Sequence, residues 1–295
     1  WRGIQPNRRE KYSWGGADQQ VRWASESGLQ VYPYLVGTPK FVQKQGTKSI
    51  PPVRRKLHRE KWEAFVAATV ARYGPGGDFW RENPDLVPRP ARDYVIWNEQ
   101  NAQTFWKPAA NPREYARLVR LSRSGIDSVD PDVRLVTGGI YGYPQNSKSM
   151  FAVPFLRKLY QKRGMVKAID GISIHPYAPK LAGVKKQVRD MRRVALRAGD
   201  RKVDLWIGEV GWASGGRKHE LTKNPAKQAK LLESSYRFFL AKRKAWRIRS
   251  VMWFVWRDYT GDEICSWCPE AGLLDADHTA KPSGEAYRGL ASKSR

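Results

Sequence analysis

The chain has 295 residues, 41% of them hydrophobic, and its 54 Lys and Arg outnumber its 28 Asp and Glu to give a formal net charge of +26. This length and apolar content fit one large domain or two small ones with a sizeable core. No apolar run reaches the roughly 20 residues that span a bilayer, so no membrane span is expected. The charge predicts affinity for anionic surfaces.

Helix-like and strand-like segments alternate along the chain. Apolar residues at helical spacing predict helices over residues 16–27, 59–73, 111–129, 184–198 and 226–246. Short apolar runs predict strands over 29–37, 93–99, 133–139, 171–177, 204–212 and 250–258. The alternation predicts an α/β fold with a parallel sheet covered by helices, as a single domain over 1–295. A (β/α) barrel and an open doubly wound sheet both fit.

Two of the helices carry further signals. Helix 111–129 opens with Asn-Pro-Arg-Glu, in which Asn111 is expected to cap, Pro112 suits the first turn and Glu114 completes a capping box. Helix 184–198 has a basic outer face. An ordinary solvated helix side and a polyanion-binding surface both explain that face.

Polar or aromatic side chains follow four of the predicted strands. In a barrel the carboxyl ends of the strands meet on one face, where active sites are built, so these residues are expected to form one site. In chain order they are Asn98 and Glu99, then His175 and Tyr177, then Glu209 and Trp212, and finally Trp256.

Two of these residues are glutamates that directly follow buried runs, Glu99 and Glu209. Paired carboxylates across a cleft perform glycoside hydrolysis: one protonates the leaving oxygen, and the other attacks the anomeric carbon or activates water. Each glutamate by itself also fits an exposed loop residue or the partner of an arginine. The presence of the pair favours the catalytic interpretation.

Four segments resemble clan A glycoside hydrolases, which are TIM (β/α)8-type barrels. The sequence IWNEQN resembles the Trp-Asn-Glu-Pro-Asn signature of the clan, with Gln100 in place of the usual proline. SIHPY, LWIGEVGW and WFVWRD resemble the sixth, seventh and eighth strands. The resemblance runs from about Ile4 to Ala291 and is nearest to the β-xylosidase and α-iduronidase type of family.

The resemblance implies the activity of a retaining glycosidase. Glu99 would be the general acid/base and Glu209 the nucleophile, with their carboxyl groups roughly 5–5.5 Å apart. No metal or organic cofactor is implied. Several side chains would bind or surround the sugar: Asn98 at its 2-hydroxyl, Tyr177 and His175 beside the nucleophile, Trp256 as a stacking floor, and Trp106 and Trp212 as further aromatic contacts.

The start of the sequence is short for a complete barrel. Strand 29–37 resembles the third strand of the clan, and residues 16–27 are already a predicted helix. The chain begins at Trp1 and shows no signal peptide. We therefore expect a barrel that lacks its first strand and most of its second, with exposed edges.

The two cysteines, Cys265 and Cys268, lie in the sequence CSWC. A zinc site would need more ligands nearby. A local disulfide in an exported protein is favoured, and a reduced structural pair is the alternative. The disulfide interpretation predicts a secreted or cell-surface location.

The predicted partner is a polysaccharide or glycoside, with an acidic polymer as one candidate because of the charge. A carbohydrate-binding barrel without turnover and a polyanion-binding protein are the alternatives. Basic residues are spread over several helices and are not interleaved with exposed aromatics, so no specific nucleic acid is expected. The sequence does not define the sugar or the oligomeric state.

Overall fold

The computed structural model of the chain describes residues 1–8, 11–43, 49–144, 146–261 and 265–292. The chain divides into two compact units. Unit 1 comprises Trp1–Ser173 and Ala195–Val203, and unit 2 comprises Ile174–Val194 and Asp204–Arg295. One strand and one helix cross the boundary, so each contributes residues to both units.

Unit 1 contains a parallel sheet with helices between its strands. Its helices are α1 (Gly15–Glu26), α2 (Lys56–Tyr73), α3 (Asp78–Glu82), α4 (Pro112–Asp127), α5 (Ala152–Tyr160) and α6 (Met165–Ala168). Its strands are β1 (Tyr34–Leu35), β2 (Asp93–Ile96), β3 (Arg134–Thr137), β4 (Ile140–Tyr141) and the start of β5 (Gly171–His175). The order is β1-β2-β3-β5, with β4 paired to β5.

The register of this sheet is continuous through its most buried strand. Val95 of β2 pairs with Tyr34 of β1 on one side and with Val136 of β3 on the other, and Val136 in turn pairs with Gly171. All four residues of β2 are buried. Strands covered on both faces read as unbroken apolar runs, and this is the pattern that the sequence shows.

Helices α2 and α4 pack closely in unit 1. A Cβ added at Gly125 would lie 2.7 Å from the Glu63 carbonyl oxygen, so the two helix backbones approach too closely for a larger residue. The Trp62 indole donates to Ser122 Oγ at 2.9 Å across the same contact. The buried aromatic residues Trp62, Phe65 and Tyr115 fill the space between these helices and the sheet.

Unit 2 is built around the end of β5 and two further strands. Its strands β6 (Asp204–Val210) and β7 (Ile248–Trp253) are parallel, and the order is β5-β6-β7. Its helices are α7 (Leu181–Arg197), which ends in unit 1, α8 (Pro225–Trp246) and α9 (Pro282–Ser292), with a 3₁₀ turn at Cys268–Glu270. The Asn224 side chain caps α8 by accepting from the Lys227 amide at 2.8 Å.

The five predicted helices are confirmed as α1, α2, α4, α7 and α8. Asn111 caps α4 as expected, accepting from the amides of Arg113 and Glu114. The capping box is not closed, however, because the Glu114 carboxylate binds Arg54 at 2.9 Å instead. Among the described residues, no helix combines the length and apolar character that crossing a membrane requires.

The six predicted strands are confirmed in position but not in length. Predicted strand 29–37 is reduced to Tyr34–Leu35. Pro33 accepts a hydrogen bond from the Val95 amide at 2.9 Å but has no amide hydrogen to donate, and Gly37 has a left-handed φ of 81°, so the regular ladder is limited on both sides. The short strand β4 and the helices α3, α5, α6 and α9 were not predicted, because each is short or weakly patterned.

Part of the basic face of α7 is paired with an acidic residue of the same helix. Lys186, Arg189 and Arg193 all lie within 4 Å of the Asp190 carboxylate, at 2.7, 3.5 and 3.7 Å. The helix neutralises part of its own charge with i, i+3 and i, i+4 pairs. This arrangement favours the first of the two interpretations that the sequence left open.

Candidate active site

Unit 2 places a partly exposed carboxylate against two polar side chains. Glu209 is the penultimate residue of β6, and its side chain is 23% exposed. The Tyr177 hydroxyl donates to Glu209 Oε2 at 2.7 Å. His175 Nδ1 lies 3.3 Å from the same oxygen. A hydrogen-bond donor aimed at a carboxylate oxygen favours its ionised form, which is the form that a nucleophile needs.

The two described partners of Glu209, His175 and Tyr177, come from the end of the neighbouring strand. His175 is the last residue of β5, and Tyr177 follows it after Pro176. His175 is fully buried. In this position the side chain contacts Glu209, and its predicted contact with substrate stays a prediction.

Tyr177 is held by aromatic neighbours. Its ring centroid lies 5.1 Å from that of Trp267 and 6.3 Å from that of Phe254, both in edge-to-face geometry. The Gln187 amide donates to the Tyr177 carbonyl oxygen at 2.8 Å. Edge-to-face pairs of this kind each add about 0.5–1.5 kcal/mol beyond their buried area. The phenol is therefore fixed in position before any ligand arrives.

Trp267 is a site residue that sequence reasoning missed. It lies between Cys265 and Cys268, which form a disulfide with a Cα–Cα distance of 5.4 Å, so the predicted bond is confirmed. The Trp267 side chain is buried and stacks against the His219 ring, with centroids 6.3 Å apart. The sequence did contain a signal for this residue: a tryptophan inside a four-residue disulfide loop. Such a loop restricts the positions that the ring can take.

Two of the predicted aromatic contacts in unit 2 have opposite surroundings. Trp212 is fully buried, and its indole donates to the Ala178 carbonyl oxygen at 2.8 Å. Trp212 is therefore part of the core, and its predicted contact with substrate stays a prediction. Trp256 follows β7 and is 63% exposed. Its ring is open to solvent, and its predicted role as a stacking floor stays a prediction.

Unit 1 places its glutamate on a sharp turn after β2. Trp97 and Glu99 both have left-handed backbone, with φ values of 74° and 40°. Such values are uncommon for residues other than glycine and cost about 1–3 kcal/mol each, and they cluster at functional sites. Glu99 is 7% exposed, whereas Asn98 is half-buried. The turn therefore holds the ionisable Glu99 side chain where little of it is exposed to solvent.

The amides that follow Glu99 fasten this turn to the segment after β3. Gln100 Nε2 donates to the Gly138 carbonyl oxygen at 3.0 Å. The Asn101 side chain donates to the carbonyl oxygens of Tyr141 and Met150 at 2.7 Å and accepts from the Tyr141 amide. Gln100, which stands where the clan has proline, thus adds a hydrogen bond to the turn.

A layer of buried aromatic rings supports the turn. Trp97 and Trp106 meet edge to face at 5.5 Å, and Trp106 meets Tyr115 at 5.6 Å. Trp106 is fully buried, and its predicted contact with substrate stays a prediction. The Tyr115 hydroxyl donates to the Ile96 carbonyl oxygen and accepts from the Gly138 amide, both at 2.9 Å.

Several solved glycoside hydrolases have a fold similar to that of this chain. A family 39 glycoside hydrolase from the gut symbiont Bacteroides cellulosilyticus WH2 is similar with a TM-score of 0.69 and 22% identity, covering 99% of this chain and 56% of that one. A monomeric beta-xylosidase from Caulobacter crescentus CB15 has a TM-score of 0.68 and 19% identity, covering 95% and 56%. Xylanase 10B from Thermotoga maritima has a TM-score of 0.64 and 17% identity, covering 100% and 84%.

No family profile and no curated protein matches the sequence. The chain spans 56% of the length of each of the first two solved structures. At these identities the similarity establishes the fold, which is of the TIM (β/α)8 barrel type found in clan A glycoside hydrolases. The predicted fold class is confirmed, and the open doubly wound sheet is excluded.

Proposed function

We propose that the chain is a retaining glycoside hydrolase that cleaves O-glycosidic bonds by double displacement. The observation that carries the proposal is the 2.7 Å hydrogen bond from Tyr177 to Glu209 at the carboxyl end of β6. A partly exposed carboxylate that is held by a donor suits attack on an anomeric carbon. The fold, shared with xylosidases and xylanases, supports the same activity.

The proposed reaction has two steps. In the first, Glu209 attacks the anomeric carbon, the glycosidic C–O bond breaks, and Glu99 gives its proton to the departing oxygen. In the second, Glu99 takes a proton from water, and the water oxygen attacks the same carbon and displaces Glu209. Each step inverts the anomeric carbon, so the product keeps the configuration of the substrate. This chemistry requires the two carboxyl groups to lie roughly 5–5.5 Å apart.

The surroundings of each glutamate support its proposed role. Glu209 has a phenol hydroxyl and an imidazole nitrogen within 3.3 Å of one carboxylate oxygen, as expected for an anion. Glu99 is 7% exposed on a strained turn that four described amide contacts hold in place. Half-buried Asn98, between the strained residues Trp97 and Glu99, is the proposed partner of the sugar 2-hydroxyl.

Hydrolysis of a panel of aryl glycosides tests the proposal. Aryl β-xylosides are the first choice because two of the similar structures are a xylosidase and a xylanase. We expect release of the aryl group, and we expect proton NMR to show the β-anomer of the sugar as the first product. Formation of the α-anomer from a β-xyloside would overturn the retaining mechanism. Tight binding of xylo-oligosaccharides without any hydrolysis would favour a carbohydrate-binding barrel.

We also propose that the protein works outside the reducing cytosol. The Cys265–Cys268 disulfide supports this location, because such bonds persist in oxidising compartments. Protein isolated from its native cells with a thiol-blocking reagent present should carry no blocked cysteine. Complete labelling of both cysteines would contradict the proposal.

A further inference from the structure

The outer side of helix α4 carries a groove with a strong positive charge. Two open cavities, of about 380 and 670 Å³, meet there, and Arg120 lines both of them. We call this feature the α4 basic groove. Its cationic lining residues are Arg59, Arg113, Arg117, Arg120, Lys162 and Arg163.

Helix geometry brings these cations together. Arg113, Arg117 and Arg120 are spaced i, i+4 and i+7, so they lie along one exposed face of α4. The opposite face of the helix is buried in unit 1. Arg59 joins from α2, and residues 162 and 163 join from the turn between α5 and α6. The groove is thus built from elements that pack against one another within one unit.

The guanidinium groups of the groove are positioned without being neutralised. Arg59 and Arg117 donate to the Val53 carbonyl oxygen at 3.4 and 3.2 Å, and Arg120 donates to the Arg163 carbonyl oxygen at 3.3 Å. Within the described residues, no carboxylate forms an ion pair with the six cations. Arg123, on the same helix but outside the groove, differs because it forms an ion pair with Asp127 at 2.8 Å. The groove therefore carries an excess of positive charge, and main-chain carbonyl oxygens position three of its arginines.

The remaining lining residues define which anion fits. Glu63, Leu121 and Ser124 line the smaller cavity together with the arginines. The Glu63 carboxylate accepts hydrogen bonds, so it suits a ligand that carries hydroxyl donors as well as anionic groups. Leu121 offers an apolar contact to the C–H face of a sugar ring. Guanidinium forks match carboxylates with two parallel hydrogen bonds.

Nucleic acid fits this groove less well. Proteins that bind single strands stack the bases on aromatic side chains. None of the described residues that line the two cavities is aromatic. A polymer of acidic sugars offers carboxylates to the arginines, hydroxyl groups to Glu63 and C–H faces to Leu121.

We propose that the α4 basic groove is a binding site for an acidic polysaccharide that contains uronate residues. The site is distinct from the two glutamates, and it binds whether or not the chain hydrolyses a glycosidic bond. It holds a carboxylated stretch of polymer by salt-sensitive contacts with the guanidinium forks, while Glu63 accepts from sugar hydroxyls.

Affinity electrophoresis through gels that contain polygalacturonate tests the site. The parent protein carries Glu209→Gln so that the polymer stays intact and the result is independent of the proposed activity. The groove variant adds Arg113→Ser, Arg120→Ser and Arg163→Ser, and a matched variant adds Lys230→Ser, Lys242→Ser and Arg243→Ser on α8. All six positions are exposed, and both variants lose three charges.

The groove variant should bind polygalacturonate at least about tenfold more weakly than the parent in 0.15 M salt, and the matched variant less than about twofold more weakly. Arg120→Lys alone, which keeps the charge but loses the fork, should weaken binding about two- to fivefold. Equal losses in both triple variants would overturn the proposal in favour of net charge. If the parent bound duplex DNA or phosphatidylserine vesicles more tightly than polygalacturonate, and the groove variant lost that binding, the polysaccharide assignment would be overturned.

Discussion

The two glutamates that end strands are held by different parts of the protein. Glu99 in unit 1 lies on a turn with left-handed backbone, and the neighbouring amides Gln100 and Asn101 tie that turn to the segment after β3. Glu209 in unit 2 lies in β6, where the pairing with β7 shifts register between Ile207 and Val210, and its described partners are the side chains of Tyr177 and His175. The backbone conformation of the turn positions the Glu99 carboxyl group, whereas neighbouring side chains contact the Glu209 carboxylate directly.

This difference has a consequence for mutation. Around Glu209, a substitution that removes one hydrogen-bonding atom should leave the strand in place. The loss of turnover should therefore depend on the hydrogen bond that was removed. Around Glu99, the side chains hold the backbone itself, so their loss should disturb both stability and turnover. Measurements of turnover and of unfolding in single variants distinguish these two cases.

The largest effect is expected at the proposed nucleophile. Glu209→Gln should abolish turnover of every substrate, by about 10⁵–10⁶-fold in kcat as when other catalytic nucleophiles are removed. Steady-state kinetics on aryl glycosides provide the measurement. Glu233→Gln, a change on the outer part of α8, is the matched control and should leave kcat unchanged. A Glu209→Gln enzyme with wild-type kcat would remove Glu209 from the mechanism.

The next effect depends on the leaving group. Glu99→Gln should slow substrates with poor leaving groups by about 10²–10⁴-fold, the usual contribution of general acid–base catalysis. Substrates with good leaving groups need little protonation, so their first step should be spared. Azide should rescue Glu99→Ala and yield a glycosyl azide, detectable by mass spectrometry. Equal losses for good and poor leaving groups would contradict the acid/base role.

A smaller effect is expected at the phenol that contacts Glu209. Tyr177→Phe removes one hydrogen bond to a charged group, worth about 1.5–3 kcal/mol, so kcat should fall about ten- to 150-fold. The free energy of unfolding should change much less, since the aromatic contacts remain. Tyr236→Phe is the control in the same unit, because its hydroxyl reaches the Val251 carbonyl oxygen only at 3.5 Å. A similar loss of kcat in both variants would show that the Tyr177 contact has no special role.

The disulfide loop should act on turnover through Tyr177. Trp267→Ala removes an edge-to-face partner worth about 0.5–1.5 kcal/mol, so kcat should fall about two- to twelvefold. Trp267→Phe should restore most of the activity, and the joint variant Cys265→Ser with Cys268→Ser should reproduce part of the loss. Because the residues share one contact, Trp267→Ala and Tyr177→Phe should combine non-additively in a double-mutant cycle. Strict additivity would mean that Trp267 does not act through Tyr177.

The last effect concerns the stability of both units at alkaline pH and does not involve the two glutamates. Burial raises the pKa of Tyr94 and Tyr115 in unit 1 and of Tyr236 in unit 2 above the usual value near 10. Above pH 10 the unfolded chain loses these protons while the folded chain keeps them, so stability must fall as pH rises. Each tyrosine should contribute a loss of about 1 kcal/mol per pH unit in that range.

Urea unfolding at several pH values measures this loss. The midpoint should be insensitive to tyrosine ionisation up to about pH 9 and should fall above pH 10. Tyr94→Phe should reduce the slope, since its hydroxyl makes only a long contact of 3.4 Å with the Thr69 carbonyl oxygen. An unchanged slope in that variant would show that Tyr94 also ionises freely in the folded chain.

Local signals in the sequence were sufficient for much of the framework. The positions of the strands, the Asn111 cap and the Cys265–Cys268 pair were all predicted, because each depends on residues that are close in the chain. The same holds for the fold class, since strands that alternate with helices have few ways to pack. The order of the motifs added the resemblance to a known clan.

The surroundings of the aromatic side chains were decided only by the tertiary structure. Trp106 and Trp212 follow strands just as Trp256 does, yet the first two are fully buried and the third is 63% exposed. Sequence position does not distinguish them, because burial depends on which distant elements cover a side chain. Trp267 was missed for the same reason: its contact with Tyr177 joins residues far apart in the chain.

The sequence by itself determined which residue types end each strand, since an apolar run stops where a polar side chain follows it. The tertiary structure alone decided what those side chains contact: Glu209 meets Tyr177, and Glu114 leaves its own helix cap for Arg54. The physical reason is that hydrogen bonds and ion pairs form with the nearest suitable partner in space. That partner is fixed only when helices and strands from separate parts of the chain have packed together.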